Sequence, residues 1–361
     1  MDPTDFPTPQ PTAISDFSPS LANQLLACPL RAAFSRDVEL QIWQRSNTYS
    51  ALGVVAHEVN EAAFSLTEIA ESEDAIRDQL QVLWDSEVAQ AREKLCQDWA
   101  PASPPPPEDW PNYQLTRIRT IRRLAKVLAN RPQRRRPPEE GLGVEIWLRD
   151  PTTGLIGRAD RIERDGNGTR VVDLKTGLHQ EEATDDQRRQ LLLYAVLVNR
   201  TTGDWPRSIA VENASGTQYR SSLDPDEAET ALGEVQSAIA HFNSAVANPA
   251  SLLLAALPNS DTCRWCAYRV VCGPYWSCLS TDWNHGAAAC GTIIDAGTAS
   301  DGHYLRLNVE SPSDLAAEEL HISHLEAPVP ETTTRAAVVD GAGGSGVLHV
   351  RGRWSTTIRA W

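Results

Sequence analysis

The stretch GRADRIERDGNGTRVVDLK, residues 157–175, places acidic residues beside two short apolar runs. The turn at 165–168 separates these runs, and its Asp-Gly and Asn-Gly pairs tolerate the positive φ angles of a hairpin. Alternate strand residues share a face, so Asp173 and Lys175 point the same way. The hairpin brings Asp160 across to meet them. Two carboxylates and an ammonium group at strand ends are suited to holding a divalent cation and a water beside a phosphodiester.

The flanking sequence adds a strand and a helix to this hairpin. Residues 144–148 alternate in polarity and predict a further strand, which carries Glu145. Residues 185–199 have apolar side chains at helical spacing, with Gln190 and Tyr194 about one turn apart on a polar stripe that faces the sheet. An isolated Asp-x-Lys is usually a solvated pair on a strand. Its position in this ordered block favours catalysis instead.

The block resembles the nuclease core of the PD-(D/E)XK superfamily, specifically the RecB-like branch. The resemblance continues upstream in a short apolar helix at 18–31, which contains Cys28, and in Gly53-Val54-Val55-Ala56-His57, where a histidine follows a glycine on a helix. It covers roughly residues 17–276. It implies an α/β fold, a restriction-endonuclease-like core in which helices flank a mixed central sheet.

The resemblance also implies roles for individual side chains. The implied metal ligands are His57, Asp160, Asp173 and the Leu174 backbone carbonyl. The implied catalytic set is Lys175, Asp160, Asp173, Glu145, Gln190 and Tyr194. Lys175 would orient the attacking water and steady charge on the phosphate. The cation would be Mg²⁺ or Mn²⁺, and an imidazole ligand favours Mn²⁺ somewhat.

The activity implied is that of a metal-dependent deoxyribonuclease, an exonuclease rather than an endonuclease, in DNA repair, recombination or defence. Two other classes stay open. One is a DNA-binding module of the same fold without turnover, and the other is a zinc or redox protein whose cysteines carry the chemistry.

The cysteines form a second pattern. Cys263-x2-Cys266-x5-Cys272 lies far from Cys28, and the resemblance implies that these four ligate a structural 4Fe-4S cluster. Zinc is the chemical alternative because four cysteines also make a tetrahedral zinc site, and Cys278 could replace one ligand. Seven cysteines is an odd number and no secretory segment is recognised, so a reducing cytoplasm is expected rather than disulfides.

The formal net charge of −15 is unexpected for a protein that grips a polyanion. Basic residues are nevertheless concentrated at 117–136, a stretch with no acidic residue. The predicted nucleic-acid contacts are Arg117, Arg119, Arg122, Arg123 and Lys126. The alternative is a solvated helix face followed by a flexible Arg/Pro linker.

The predicted organisation has three parts. They are a disordered tail at 1–16, the RecB-like domain at 17–282 with a helical insertion at about 60–138 and a cysteine cap at 263–278, and a small all-β barrel at 283–361. Five alternating stretches predict that barrel, which would be OB-like or SH3-like. An OB fold suits single-stranded DNA, with Tyr304, Trp354, Arg351, Arg353 and Arg359 as candidate contacts. A structural or partner-binding barrel is an equal alternative.

The expected partner is DNA with single-stranded character. No GxxxxGK[ST] phosphate loop occurs, so any unwinding would come from a helicase or another repair or defence partner. No run is long and apolar enough to predict a membrane span.

Overall fold

The computed structural model of the protein describes residues 5–130, 142–166, 168–175, 183–343 and 346–361. Over these ranges the α-helices are α1 Pro19–Ala27, α2 Pro29–Ser35, α3 Thr48–Ser65, α4 Glu73–Trp99, α5 Tyr113–Ala129, α6 Asp185–Thr202, α7 Pro225–Val246, α8 Pro249–Leu254, α9 Ser260–Arg264 and α10 Gly273–Cys278. The strands are β1 Gly143–Asp150, β2 Leu155–Asp165, β3 Gly168–Lys175, β4 Ser208–Asn213, β5 Gln218–Ser222, β6 Ala287–Ala299, β7 Gly302–Ser311, β8 Glu319–Leu325, β9 Arg335–Gly341, β10 His349–Arg351 and β11 Thr357–Ala360. The protein is therefore mixed α/β, as predicted.

A five-stranded mixed sheet forms the centre of the first unit. Its order is β1-β2-β3-β4-β5, and only the β3–β4 pair is parallel. That pair is joined by α6, because a parallel connection needs a crossover. The predicted hairpin is confirmed by the antiparallel β2–β3 pair, although Asn167 of its turn lies outside the described residues.

Helix α6 packs against this sheet and contributes to its hydrophobic core. It begins with a capping box in which Thr184 and Gln187 satisfy each other's backbone N–H groups, and it ends at Gly203, whose φ is 80°. All eight residues from 191 to 198 are buried. A helix that is apolar all round belongs inside a protein, and here the sheet and the flanking helices cover it.

The predicted helical insertion contains a second hydrophobic core. Helices α3, α4 and α5 enclose a cluster in which Trp84 is fully buried and its indole N–H donates to the Tyr113 hydroxyl at 3.3 Å. The insertion is not one continuous helix, because α3 ends at Ser65 and α4 begins anew at the N-cap Ser72. The end of the insertion at 131–138 lies outside the described residues.

The C-terminal strands correct the prediction of a closed barrel. They form a six-stranded sheet in the order β10-β8-β7-β6-β9-β11, and in the described part of the chain no ladder joins β10 to β11. The last of the five predicted stretches divides into these two short strands, which have three and four residues. In the described residues only an isolated bridge, between Ala342 and Arg351, joins the end of β9 to β10.

The C-terminal sheet also shares its core with the first unit. On β9, Ala336 and Val338 face a core within the sheet, whereas Ala337 and Val339 pack in the main core. Alternate side chains of a strand point to opposite faces, so β9 contributes to both cores.

The segment 5–16, predicted as part of a disordered tail, is instead packed on the protein. Phe6 and Ile14 are 8% and 4% exposed, and the Phe6 ring lies 5.6 Å from the Trp361 ring. The Ile14 N–H donates to the Asn243 side chain at 2.7 Å. The composition of this segment suggested disorder because its few apolar residues are far apart, but each has a distant partner. None of the described helices has both the length and the apolar character needed to cross a bilayer.

Candidate metal centre

The β2–β3 hairpin brings the predicted acidic residues together at its open end. The ladder runs to the Arg161–Val172 pair, and Asp160 and Asp173 are the next residues on each strand. The Leu174 N–H donates to Asp160 Oδ2 at 2.6 Å, so a side chain continues the pairing where the backbone ladder stops. The Leu174 side chain is buried, as the alternation predicted.

Glu145 reaches the same place because β1 is distorted at this residue. The pairs Val144–Arg161 and Ile146–Ala159 flank it, so Glu145 lies opposite Asp160. Its φ is 53°, a left-handed conformation that is rare for a residue with a side chain and costs of order 1–3 kcal/mol. The Glu145 side chain is only 5% exposed.

The third side chain comes from helix α3, far away in sequence. His57 Nδ1 lies 3.3 Å from Glu145 Oε1 and 3.6 Å from Asp160 Oδ1. Among the described residues, these are the only three His, Cys, Asp or Glu side chains whose ligand atoms all lie within 4.8 Å of one another. One nitrogen and carboxylate oxygens form a donor set that suits a divalent cation such as Mn²⁺.

The charges of this set are strongly coupled. Burial acts to lower the pKa of His57, but the hydrogen bond with Glu145 and the charges of Asp160, Glu145 and Asp173 outweigh burial and raise it. Burial also raises the pKa of Asp160, although His57 and the Leu174 N–H oppose the shift. A cation at this point would relieve the repulsion between the carboxylates.

Asp173 lies beside this trio and has different partners. Lys175 Nζ is 3.0 Å from its Oδ1 and 2.9 Å from its Oδ2, and the Gln190 amide donates to Oδ1 at 3.2 Å. Burial raises the pKa of Asp173 to about 6, against the opposing charge of Lys175. The closely spaced trio therefore contains Glu145, which was predicted as a catalytic residue and not as a metal ligand, in the place expected for Asp173.

Two further residues shape the site from either side. The Tyr194 hydroxyl donates to the Arg158 carbonyl oxygen at 2.8 Å, which ties α6 to β2. Arg158 was not predicted, yet its Nε lies 3.1 Å from Glu145 Oε2 and it also pairs with Glu61 of α3. In the sequence, only the position of Arg158 inside the 157–175 stretch indicated that it would lie near the site.

The basic helix α5 is only partly free to meet a polyanion. Arg123 is 7% exposed, and its guanidinium donates to Glu212 Oε1 at 2.6 Å and to Asn60 Oδ1 at 3.1 Å. It therefore holds α5 against the sheet, and its prediction as a nucleic-acid contact is wrong because burial and Glu212 already satisfy it. Arg122 and Lys126 are exposed, and Arg117 and Arg119 are half-buried. The rest of the predicted basic run, 131–136, lies outside the described residues.

The four cysteines of the second pattern line one small cavity. Cys28, Cys263 and Cys266 are buried, Cys272 is half-buried, and all four are free thiols. Burial raises the pKa of the Cys263 thiol to about 11, and it likewise raises the pKa values of Cys266 and Cys272. The fold thus brings together thiols that are separated by more than 200 residues in sequence.

Two arginines accompany this cavity. Arg31 and Arg269 both line it, and the charge of each acts on Cys266. Arg269 is held by a bidentate contact with Asp340 of β9, at 3.0 and 2.8 Å. A positive environment of this kind favours thiolates.

The sequence was compared with protein families and with curated proteins. The family model of the PD-(D/E)XK nuclease superfamily matches residues 16–273. No curated protein matches the sequence. The matched range includes the metal centre and all four cysteines of the second pattern, and it ends before the C-terminal sheet.

Proposed function

Because the chain belongs to the PD-(D/E)XK nuclease superfamily, we propose that it is a metal-dependent deoxyribonuclease whose cation is held by His57, Glu145 and Asp160. The observation that carries the proposal is the convergence of these side chains, from α3, β1 and β2, beside the Asp173–Lys175 pair. A divalent cation held there would lower the pKa of a water and neutralise charge on the phosphate.

The remaining side chains position the reactants. Asp173 holds Lys175 through both carboxylate oxygens, so the ammonium group has a fixed place from which to donate to a water or a phosphate oxygen. Gln190 fixes Asp173 in turn. A place for Asp173 in the ligand set stays part of the proposal, since its carboxylate adjoins Asp160.

The test is cleavage of labelled DNA with Mn²⁺ or Mg²⁺. We expect Asp160→Asn and Lys175→Ala to lower the rate by about 100-fold or more, because each removes charge where the transition state needs it. Asp204→Asn, at an exposed site, is the matched control and should cleave normally. Mn²⁺ should also raise the melting temperature of the control but not of Asp160→Asn. Equal cleavage by all three variants would refute the proposal.

The finer features rest on the RecB-like resemblance. We propose exonucleolytic action on DNA with single-stranded character, in repair, recombination or defence, with a separate helicase for any unwinding. A linear single strand should then be degraded much faster than a circular strand of the same sequence. Equal rates on the two substrates would favour an endonuclease.

We propose that the cysteine cavity holds a structural 4Fe-4S cluster through Cys28, Cys263, Cys266 and Cys272. The donor set fits, since four thiolates can ligate such a cluster and Arg31 and Arg269 offset part of their charge. Zinc is the alternative occupant, because four cysteines also make a tetrahedral zinc site.

Iron and sulfide analysis after anaerobic purification tests this assignment. Cys266→Ala should lose the brown colour and the iron, and should unfold at a lower temperature. Cys96→Ala, which changes an exposed cysteine on α4, should keep all three. Stoichiometric zinc without iron or sulfide would show that the alternative metal is correct.

A further inference from the structure

A cleft of about 520 Å³ lies between the helical insertion and the C-terminal sheet. Its walls come from Trp43, Arg45 and Trp99 on one side and from Arg353, Trp354 and Arg359 on the other, and we call it the Trp–Arg cleft. Its volume falls within the range of about 300–1,000 Å³ that is typical of ligand sites. We propose that the Trp–Arg cleft binds a single-stranded segment of nucleic acid, an inference that rests on the proposed nuclease function and adds a substrate contact to it.

Arg359 adds positive charge to the lining of the cleft. Its guanidinium is held 4.3 Å from the Trp361 ring and donates one bond to the Asp5 carbonyl oxygen, so it attracts an anion through its charge and not through a free donor.

The other two arginines of the cleft have no carboxylate partner at ion-pair distance. In the described ranges, neither Arg45 nor Arg353 forms an ion pair, although the charge of Asp98 acts on Arg45. Arg353 is exposed and Arg45 is half-buried, and both side chains line the cleft, where an anion would pair with them.

The tryptophans of the cleft differ in exposure. Trp99 is 7% exposed and is fixed by its indole N–H, which donates to the Ser46 carbonyl oxygen at 2.7 Å. Arg45 covers one side of the Trp99 ring at 4.9 Å, and the Trp354 ring meets Trp99 edge-on at 5.2 Å. Trp354 and Trp43 are half-buried, and these two rings, not Trp99, are the ones that we assign to contact with a base.

The charge balance favours an anionic ligand, and the rings favour a nucleic acid over an acidic peptide. Three arginines and one glutamate, Glu326, line the cleft in a chain whose net charge is −15. Base stacking on aromatic side chains together with arginine contacts to phosphates is the usual mode of single-strand binding. The glutamate side chains of an acidic peptide would pair with the arginines but would not stack on the indole rings.

The family match does not account for this site. Arg353, Trp354 and Arg359 lie beyond residues 16–273, so one wall of the cleft lies outside the matched range. Single-strand binding is thus proposed for the junction between the C-terminal sheet and the helical insertion, not for an OB barrel.

The experiment measures fluorescence anisotropy of a labelled oligothymidylate with the full-length protein, in buffer without divalent cations so that no cleavage occurs. Arg353→Glu should raise Kd about tenfold and flatten the dependence of log Kd on log salt by about 0.7 for each lost phosphate contact. Arg92→Glu is the matched control, because it makes the same charge change on an exposed side chain of α4 that lies outside the cleft. It should change Kd by less than about twofold.

A second pair of variants tests the stacking and guards against misfolding. Trp354→Ala should raise Kd about fivefold to tenfold, whereas Trp354→Phe should restore most of the affinity because it keeps an aromatic face. Equal effects of Arg353→Glu and Arg92→Glu would overturn the proposal. Displacement of the oligonucleotide by polyglutamate at equal charge concentration would overturn it as well, in favour of an acidic peptide.

The result is independent of the proposed catalysis. Metal-dependent cleavage, with no difference in Kd between the Arg353 and Arg92 variants, would exclude the Trp–Arg cleft as a binding site and leave the proposed nuclease standing. The expected differences in Kd, found in a protein that cleaves no DNA, would support the Trp–Arg cleft and exclude the proposed nuclease.

Discussion

Gly157→Ala is a substitution whose cost can be worked out from the packing of β2 against α6. A Cβ at this position would lie 2.7 Å from Cε1 of Tyr194 and 3.3 Å from Cδ of Pro19. Carbon atoms prefer separations of about 3.5–4.0 Å, so the Tyr194 contact is short by about 1 Å. Gly157 has no positive φ, so the cost is steric.

The Tyr194 ring cannot easily move aside. It is 7% exposed, and its hydroxyl is tied to the Arg158 carbonyl oxygen at 2.8 Å. Overpacking of this kind typically costs about 1–3 kcal/mol, and we expect a loss of about 2 kcal/mol in the free energy of unfolding, measured by urea denaturation. Displacement of α6 would also move Gln190 away from Asp173, so we expect a cleavage rate about tenfold lower.

Gly233→Ala provides the matched control. Gly233 lies within α7, and a Cβ there would meet no atom within 4 Å. Alanine in a helix is about 0.5–1 kcal/mol more favourable than glycine, so this variant should be slightly more stable than the parent and equally active. Equal stability of the two variants, or a Gly157→Ala protein as active as the parent, would refute the proposed packing of Tyr194.

Other buried contacts give three further predictions. Glu212→Gln leaves the guanidinium groups of Arg123 and Arg161 without a full counter-charge, so urea denaturation should show a loss of about 3–5 kcal/mol; a loss below about 1 kcal/mol would contradict the network. Burial acts to raise the pKa of Glu212, but the arginines outweigh burial and lower that pKa in the folded protein. The ionised Glu212 therefore contributes its full stabilisation above its ordinary pKa. That stabilisation is lost as the pH falls through the lower folded-state value. Between about pH 7 and pH 3, stability should therefore decline more steeply in the parent than in Glu212→Gln, and parallel curves would exclude this source. Phe6→Ala should cost about 3 kcal/mol and lower the melting temperature, because its ring packs on Trp361; an unchanged melting temperature would mean that the segment is not anchored.

Local sequence patterns identified most of the first sheet and part of the site. The period-two alternation in 157–175, together with the glycine-containing turn, set the hairpin register that brings Asp160 next to Asp173. The same alternation placed Lys175 on the side of Asp173. The helical spacing of 185–199 put Gln190 within reach of Asp173, because one face of α6 covers the end of the hairpin.

Several site features depended on contacts that no local pattern carries. Glu145 joins His57 only because β1 takes a left-handed φ at that residue. Arg123 looked like one of a row of basic residues, and its burial follows from the approach of Glu212 on a strand 89 residues later. The open C-terminal sheet was missed because alternation gives the number of strands but not which edges pair.

The sequence by itself determined the hairpin, the crossover helix and the chemical types available for a metal and a thiol site, since these depend on side-chain periodicity and turn residues over a few positions. Tertiary structure alone decided which distant groups share a site. His57 meets Glu145 across 88 residues, and the two halves of the Trp–Arg cleft come from opposite ends of the chain. Such meetings depend on how buried faces of separate elements pack, and packing is a property of the whole core.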